Sequence, residues 1–134
     1  MAARLKARLD EGIDTFVAFN QCQDHLVKLA QAHVERIIFE RMHEWTAACA
    51  DEPLHAVLTT VRDLFALWRL EQDRAWFLEN GYFEPGKSKA IRALVNRLCG
   101  EVRALAPALV EAFGIPDACV SAPIASSIDP RRDA

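Results

Sequence analysis

Glycine and proline are scarce in this chain, five and six of 134 residues. With 51% apolar and 26% charged residues, that balance excludes a disordered or low-complexity chain. No stretch approaches the ~18 consecutive apolar residues of a membrane span. A formal net charge of −3 supplies no basic face, which excludes nucleic acid as the default partner. Four cysteines, Cys22, Cys49, Cys99 and Cys119, form no CxxC pair and no tight framework. They read as reduced thiols in a cytosolic-type compartment. The opening MAARLKARLDEG carries no apolar signal core, which argues against secretion. The closing Arg-Arg-Asp-Ala is not a peroxisomal Ser-Lys-Leu address. A Gly-rich phosphate loop, a nucleophile elbow and a Cys/His pair are all missing as well.

What the sequence has in abundance is helical periodicity. Leu54, Val57, Leu58, Val61, Leu64, Phe65, Trp68, Ala75 and Leu78 recur at three- and four-residue steps, the spacing of one helical face. Ile91, Leu94, Val95, Leu98, Val102, Leu105, Leu109 and Val110 repeat it. The two stretches predict long amphipathic helices folded back through the hinge Asn80-Gly81-Tyr82-Phe83-Glu84-Pro85. Gly81 stands where a left-handed residue ends a helix, and Pro85 where a helix starts without losing a needed N–H. Upstream, residues 1–11 predict a charged helix, and Asp14 or Thr15 caps another that runs to about Ala50. That helix carries Leu26, Leu29, Ala30, His33, Val34, Ile37, Ile38, Met42 and Trp45 as its apolar stripe, and at ~1.5 Å per residue it spans about 50 Å. Asp51, Glu52 and Pro53 make the connection to the next helix. Pro107 predicts a kink near Arg103, Gly114 closes the last long helix, and residues 116–121 predict one more helical turn. The fold expected is all-α: a four-helix-type bundle of long amphipathic helices with a short C-terminal helical turn over residues 1–125, then a disordered polar tail over 126–134.

Candidate chemistry is thin. Glu40/His43 and Glu52/His55 have the Glu-x-x-His spacing of di-iron bundles, which places two ligands on one helix face. The second pair straddles Pro53, and two further inward glutamates are not apparent, so both pairs read as surface residues and no metal site is assigned. His33 reads as a hydrogen-bonded core residue. Glu71 lies on the apolar side of its helix with Arg74 three residues on, which reads as a partly buried ion pair. Asp73 and Arg74 themselves read as facing water. Lys87, Ser88, Lys89 and Arg92 make a small basic patch at a helix start, read as a solvated first turn. Trp68, Trp76, Phe77, Tyr82 and Phe83 concentrate around the hinge. Trp76 and Phe77 are adjacent and so point about 100° apart, which sends one of them away from the core. These five are the interface candidates.

Several runs closely resemble the C-terminal helical domain of acyl-CoA oxidases. They are Glu-x-Asp-Arg-x-Trp-Phe-Leu-Glu at Glu71–Glu79, Lys-Ala-Ile-Arg-x-Leu-Val-Asn-x-Leu-Cys at Lys89–Cys99, and Ala-Leu-Val-x-Ala-Phe-Gly-Ile-Pro-Asp at Ala108–Asp117. Phe-Asn-x-Cys-Gln-Asp-His at Phe19–His25 and Ala-His-Val-Glu-Arg at Ala32–Arg36 are similar to the same family, so the resemblance covers most of residues 5–125. It implies a flavoprotein system. Such oxidases use FAD to introduce a trans-2 double bond into acyl-CoA, and O₂ reoxidises the flavin to give H₂O₂. A catalytic glutamate removes the α-proton. The family's Glu-Gly-Asp-Asn-Thr type motif, which carries that glutamate, has no counterpart here, so no catalytic residue is carried over to any position.

The resemblance implies a non-catalytic C-terminal domain, or split subunit or fragment, of an FAD-dependent oxidase of fatty acid β-oxidation. Its work is packing, dimerisation and support of the flavin site. FAD belongs to the full-length family and is not expected to bind this chain alone. The partners implied are the catalytic oxidase or dehydrogenase domains, in cis or in trans, and a second copy in a homo-oligomer, with no nucleic acid and no membrane. The alternative is a free-standing helical interaction module derived from that domain. The localisation expected is cytoplasmic, of the bacterial type.

Overall fold

The computed structural model describes residues 2–116 and 119–120. It contains α1 (Ala2–Asp10), α2 (Thr15–Asn20), α3 (Gln23–Ala48), α4 (Glu52–Gln72), α5 (Arg74–Glu79) and α6 (Pro85–Glu111). Among the described residues there is no strand, and the all-α expectation holds. None of these helices is long and apolar enough to cross a membrane. The chain divides into two compact units between Ala66 and Leu67.

Several helix ends follow from local chemistry. Asp14 caps α2, its Oδ1 accepting from the N–H groups of Phe16 at 3.0 Å and Val17 at 3.2 Å. Asp51 does the same for α4, accepting from Leu54 N–H at 2.8 Å. Such caps satisfy donors that the helix itself leaves unpaired. The reversal between α5 and α6 is a Schellman closure. Gly81 takes φ 71° and donates to the Leu78 carbonyl at 3.1 Å, while Tyr82 N–H reaches the Phe77 carbonyl at 2.9 Å. The same pattern ends α1, where Gly12 donates to Leu9 and Ile13 to Arg8. Pro85 then opens α6 in its first turn, as expected.

Two of the expected long helices are interrupted. The one from Asp14 to Ala50 breaks at Gln21–Cys22, and Cys22 sits at φ −111°, ψ 4° without a side-chain cap. The one beginning near Leu54 breaks at Asp73, at φ −99°, ψ 18°. In both places the flanking segments stay helical, so the apolar repeat passes through the break in step and conceals it. α6 continues through Pro107 to Glu111. Of the expected turn over 116–121, the described part is a hydrogen bond from Cys119 N–H to the Pro116 carbonyl at 2.8 Å. The expected polar tail, 126–134, lies outside the described residues.

In the first unit α1 and α2 are in contact, and its fully buried apolar side chains are Ala18 and Cys22, one turn apart. In the second unit α5 meets α6. There Ile91, Val95 and Leu98 are 7%, 4% and 6% exposed and form one face of α6, continued by the half-buried Leu94, Val102, Leu105 and Leu109. Leu98→Ala is expected to cost about 2–5 kcal/mol of unfolding free energy through lost burial and the cavity left behind. Gly81→Ala is expected to cost about 1 kcal/mol, from the left-handed backbone alone, because a Cβ built there meets nothing within 4 Å. Urea titrations followed by circular dichroism measure both.

Candidate functional site

The hinge aromatics form one cluster. Trp76 and Tyr82 stack at 5.2 Å between centroids and 16° between planes. Phe77 and Phe83 stack at 5.2 Å and 24°. The two layers meet edge to face, Trp76 with Phe77 at 5.2 Å and Phe77 with Tyr82 at 6.1 Å. The Schellman turn produces this geometry by folding the residue after Gly81 back over the last turn of α5. Phe77 and Phe83 are half-buried, while Trp76 and Tyr82 stay 53% and 65% exposed. Of the adjacent pair, it is Trp76 that leaves the core. Trp68 has a different neighbour, the Arg69 guanidinium 5.2 Å from its ring centroid, a cation–π distance.

Glu71 has a partner that sequence spacing did not identify. Its side chain is 17% exposed, and its Oε1 accepts from Arg92 Nε at 3.0 Å. The expected Arg74 is farther, at 3.6 Å. The main ion pair therefore ties the end of α4 to α6 across 21 positions of sequence. Local spacing carries no signal for such a pair; only the basic start of α6 hinted at it. Arg74 is exposed and Asp73 half-buried. Ser88, Lys89, Arg92, Ala93 and Asn96 line a shallow depression along one side of α6.

The remaining candidates take structural roles. Glu40 pairs with Arg36 one turn away, and His43 stacks on Phe39 at 6.3 Å. Glu52 and His55 are exposed. Among the described residues no three His, Cys, Asp or Glu side chains gather as a metal would require. His33 is exposed, a correction to its reading as a core residue: the apolar positions around it are bare too, so there is no core on that side for it to join. Leu26, Val27, Leu29, Val34, Ile37, Ile38 and Trp45 of α3 are all exposed, as are Phe16, Val17 and Phe19 of α2. Bare apolar surface is thus richer in the first unit than around the hinge where the sequence placed it. The breadth of the α3 apolar pattern was the signal available.

The Glu71–Arg92 pair has one shielded member and one exposed member. A double-mutant cycle with Glu71→Gln and Arg92→Gln, read by urea unfolding, is expected to give a coupling of about 1 kcal/mol, the upper end for exposed pairs. Arg74→Gln is expected to couple to Glu71 by less than half of that.

Comparison with known proteins gives the geometry a context. The family model for acyl-CoA oxidase matches residues 1–127. Acyl-coenzyme A oxidase 2, peroxisomal, of Arabidopsis thaliana is 37% identical over 129 residues, covering 96% of this chain and 18% of that protein. Peroxisomal acyl-coenzyme A oxidase 3 of Homo sapiens is 33% identical over 124 residues, covering 90% of this chain and 18% of its own length. The crystal structure of acyl-CoA oxidase 3 from Yarrowia lipolytica superposes with a TM-score of 0.75 at 26% identity, over 93% of this chain and 18% of that one. The chain therefore spans less than a fifth of these relatives, and the match falls in their C-terminal part. The cytoplasmic, bacterial-type localisation is overturned by these relatives, which are named peroxisomal. The reading of the four cysteines as reduced thiols pointed to a cytosolic-type compartment, but free cysteines do not distinguish one reducing compartment from another. With a family match over almost its whole length and a corresponding helical fold, the chain belongs to the acyl-CoA oxidase family.

Proposed function

We propose that this chain is the helical accessory domain of an FAD-dependent acyl-CoA oxidase of fatty acid β-oxidation. It packs against the flavin-bearing catalytic domains, in cis or in trans, and holds them in their working arrangement. The observation that carries the reading is the family match over residues 1–127 in a chain that corresponds to 18% of the Arabidopsis relative. The peroxisomal setting named for the relatives and self-association belong to the same reading. The exposed Trp76 and Tyr82, backed by half-buried Phe77 and Phe83, supply a rigid aromatic surface of the kind that anchors protein contacts.

The depression on α6 does not fit a flavin by itself. The depression on α6 is lined from a single helix by Ser88, Lys89, Arg92, Ala93 and Asn96, and one helix wall cannot enclose a planar three-ring system. Arg92, its strongest anion donor, is already bonded to Glu71. No step of the oxidation is therefore assigned to this chain. Its contribution is mechanical, through apolar surface that excludes water at a domain junction.

The purified chain, given FAD and a long-chain fatty acyl-CoA, is expected to yield no H₂O₂ above the protein-free blank in a peroxidase-coupled assay. Turnover at enzyme-like rates, on the order of 1 s⁻¹ or faster, sinks the accessory-domain reading.

A further inference from the structure

The first turns of α6 carry a charge opposite to that of the whole chain. Lys87, Lys89, Arg92 and Arg97 fall within residues 85–100, and none of the 19 acidic residues does, although the formal net charge is −3. Part of this charge is gathered in one place. Ser88, Lys89, Arg92, Ala93 and Asn96 line a depression of about 310 Å³, at the lower end of the ~300–1,000 Å³ of small-molecule sites. At about 100° per residue these residues share one side of α6, away from the buried Ile91, Val95 and Leu98. Ala93 is the smallest of them, with the longer Lys89 one turn before it and Asn96 one turn after.

Every polar member of this lining can donate: a hydroxyl, an ammonium, a guanidinium and an amide. No carboxylate is among them. Among the described residues, the side chains of Ser88, Lys89 and Asn96 have no hydrogen-bond or ion-pair partner. Arg92 bonds to Glu71 through Nε at 3.0 Å, and its side chain stays 52% exposed. That bond fixes the guanidinium and leaves its two terminal nitrogens, which can grip an oxyanion as a fork. The site is made of side chains and not of the helix end, since Ser88 N–H already donates to the Glu84 carbonyl at 3.1 Å.

We propose that this depression binds the phosphate group of a small molecule, a phosphate ester or a diphosphate. A carboxylate offers one charge and two oxygens, and either cation alone satisfies it. A phosphate offers nearly two charges and three acceptor oxygens, which matches two cations, a hydroxyl and an amide. Lys89 and Arg92 then carry the charge, Ser88 and Asn96 donate to the remaining oxygens, and Ala93 leaves the space. At about 310 Å³ there is room for the group that bears the phosphate. A flavin stays excluded, because a single helix wall cannot cover its rings.

Titration of the 134-residue chain with inorganic pyrophosphate tests the site, followed by calorimetry and by the amide resonances of residues 88–96. Saturable binding is expected with a Kd of about 1 mM or tighter, weakening as salt is added. Lys89→Gln weakens it about tenfold, the equivalent of one charged hydrogen bond. Ala93→Glu abolishes it by filling the depression with negative charge. Arg97→Gln removes the same charge as Lys89→Gln from a neighbour outside the depression, one already paired with Glu101 at 3.4 Å. Its affinity is expected to stay within about twofold of wild type. Circular dichroism reads the helix content of every variant, and if Ala93→Glu loses it, the comparison of Lys89→Gln with Arg97→Gln carries the test. Absence of saturation by about 10 mM pyrophosphate overturns the proposal. Equal losses in Lys89→Gln and Arg97→Gln overturn it too, since they mark diffuse attraction to a basic surface. Citrate, a carboxylate of similar charge, is expected to bind about tenfold more weakly; equal binding overturns the assignment to phosphate in favour of an acidic partner segment. None of these readouts involves H₂O₂, so the accessory-domain reading stands or falls separately.

Discussion

The reversal at Gly81 fixes the second unit. Two backbone hydrogen bonds, from Gly81 to Leu78 and from Tyr82 to Phe77, turn the chain within three residues, and Pro85 starts α6 at once. The direction in which α6 leaves determines that Ile91, Val95 and Leu98 face inward. It also brings Arg92 to Glu71 and stacks the four hinge aromatics. A β-carbon at Gly81 has room, so the constraint is the left-handed backbone and not space. Only a residue that tolerates that conformation lets the remaining contacts form together.

This dependence explains which parts of the structure were legible beforehand. Helix ends were readable at Asp14, Gly81 and Pro85 because each carries its own local mechanism. The breaks at Gln21–Cys22 and Asp73 were not, since the apolar repeat stays in phase across each. The Glu71–Arg92 pair was hidden for a different reason: its members are far apart in sequence, and Arg74 offered a nearer partner by spacing alone. His33 was misplaced because an apolar stripe was equated with a buried one. Periodicity shows that a face needs cover, but it does not say which chain supplies that cover.

The runs that resemble the oxidase family turn out to be the runs that build contacts. Glu71–Glu79 contributes one end of the ion pair and two of the stacked rings. Lys89–Cys99 contributes the other end and the whole buried stripe Ile91, Val95 and Leu98. Ala108–Asp117 contains Gly114, which takes φ 58° after α6. The described positions of these runs shape a scaffold. A helical segment can therefore be assigned to an enzyme family through the contacts that build it, since the geometry of a domain is as specific a sequence requirement as a reaction centre.

The two units solve the problem of cover differently. In the second unit the stripe Ile91, Val95 and Leu98 of α6 is internal, and the exposed Trp76 and Tyr82 are stacked with the half-buried Phe77 and Phe83. In the first unit Ala18 and Cys22 are the buried apolar side chains, while α2 and α3 expose phenylalanine, tryptophan and a row of aliphatic residues. Bare surface of that extent is what separates an interaction domain from a self-sufficient one. Hydrogen bonds along the sheltered side of α3 join Gln31 to Glu35 and Thr46 to the Met42 carbonyl. Rotating the helix to bury Val27, Val34 and Trp45 would expose that side but leave Leu26 and Leu29 no better covered, because apolar residues occupy more than half of the circumference. No single face of α3 satisfies such a helix. It requires neighbours on two sides, and assembly is the condition under which its sequence makes physical sense.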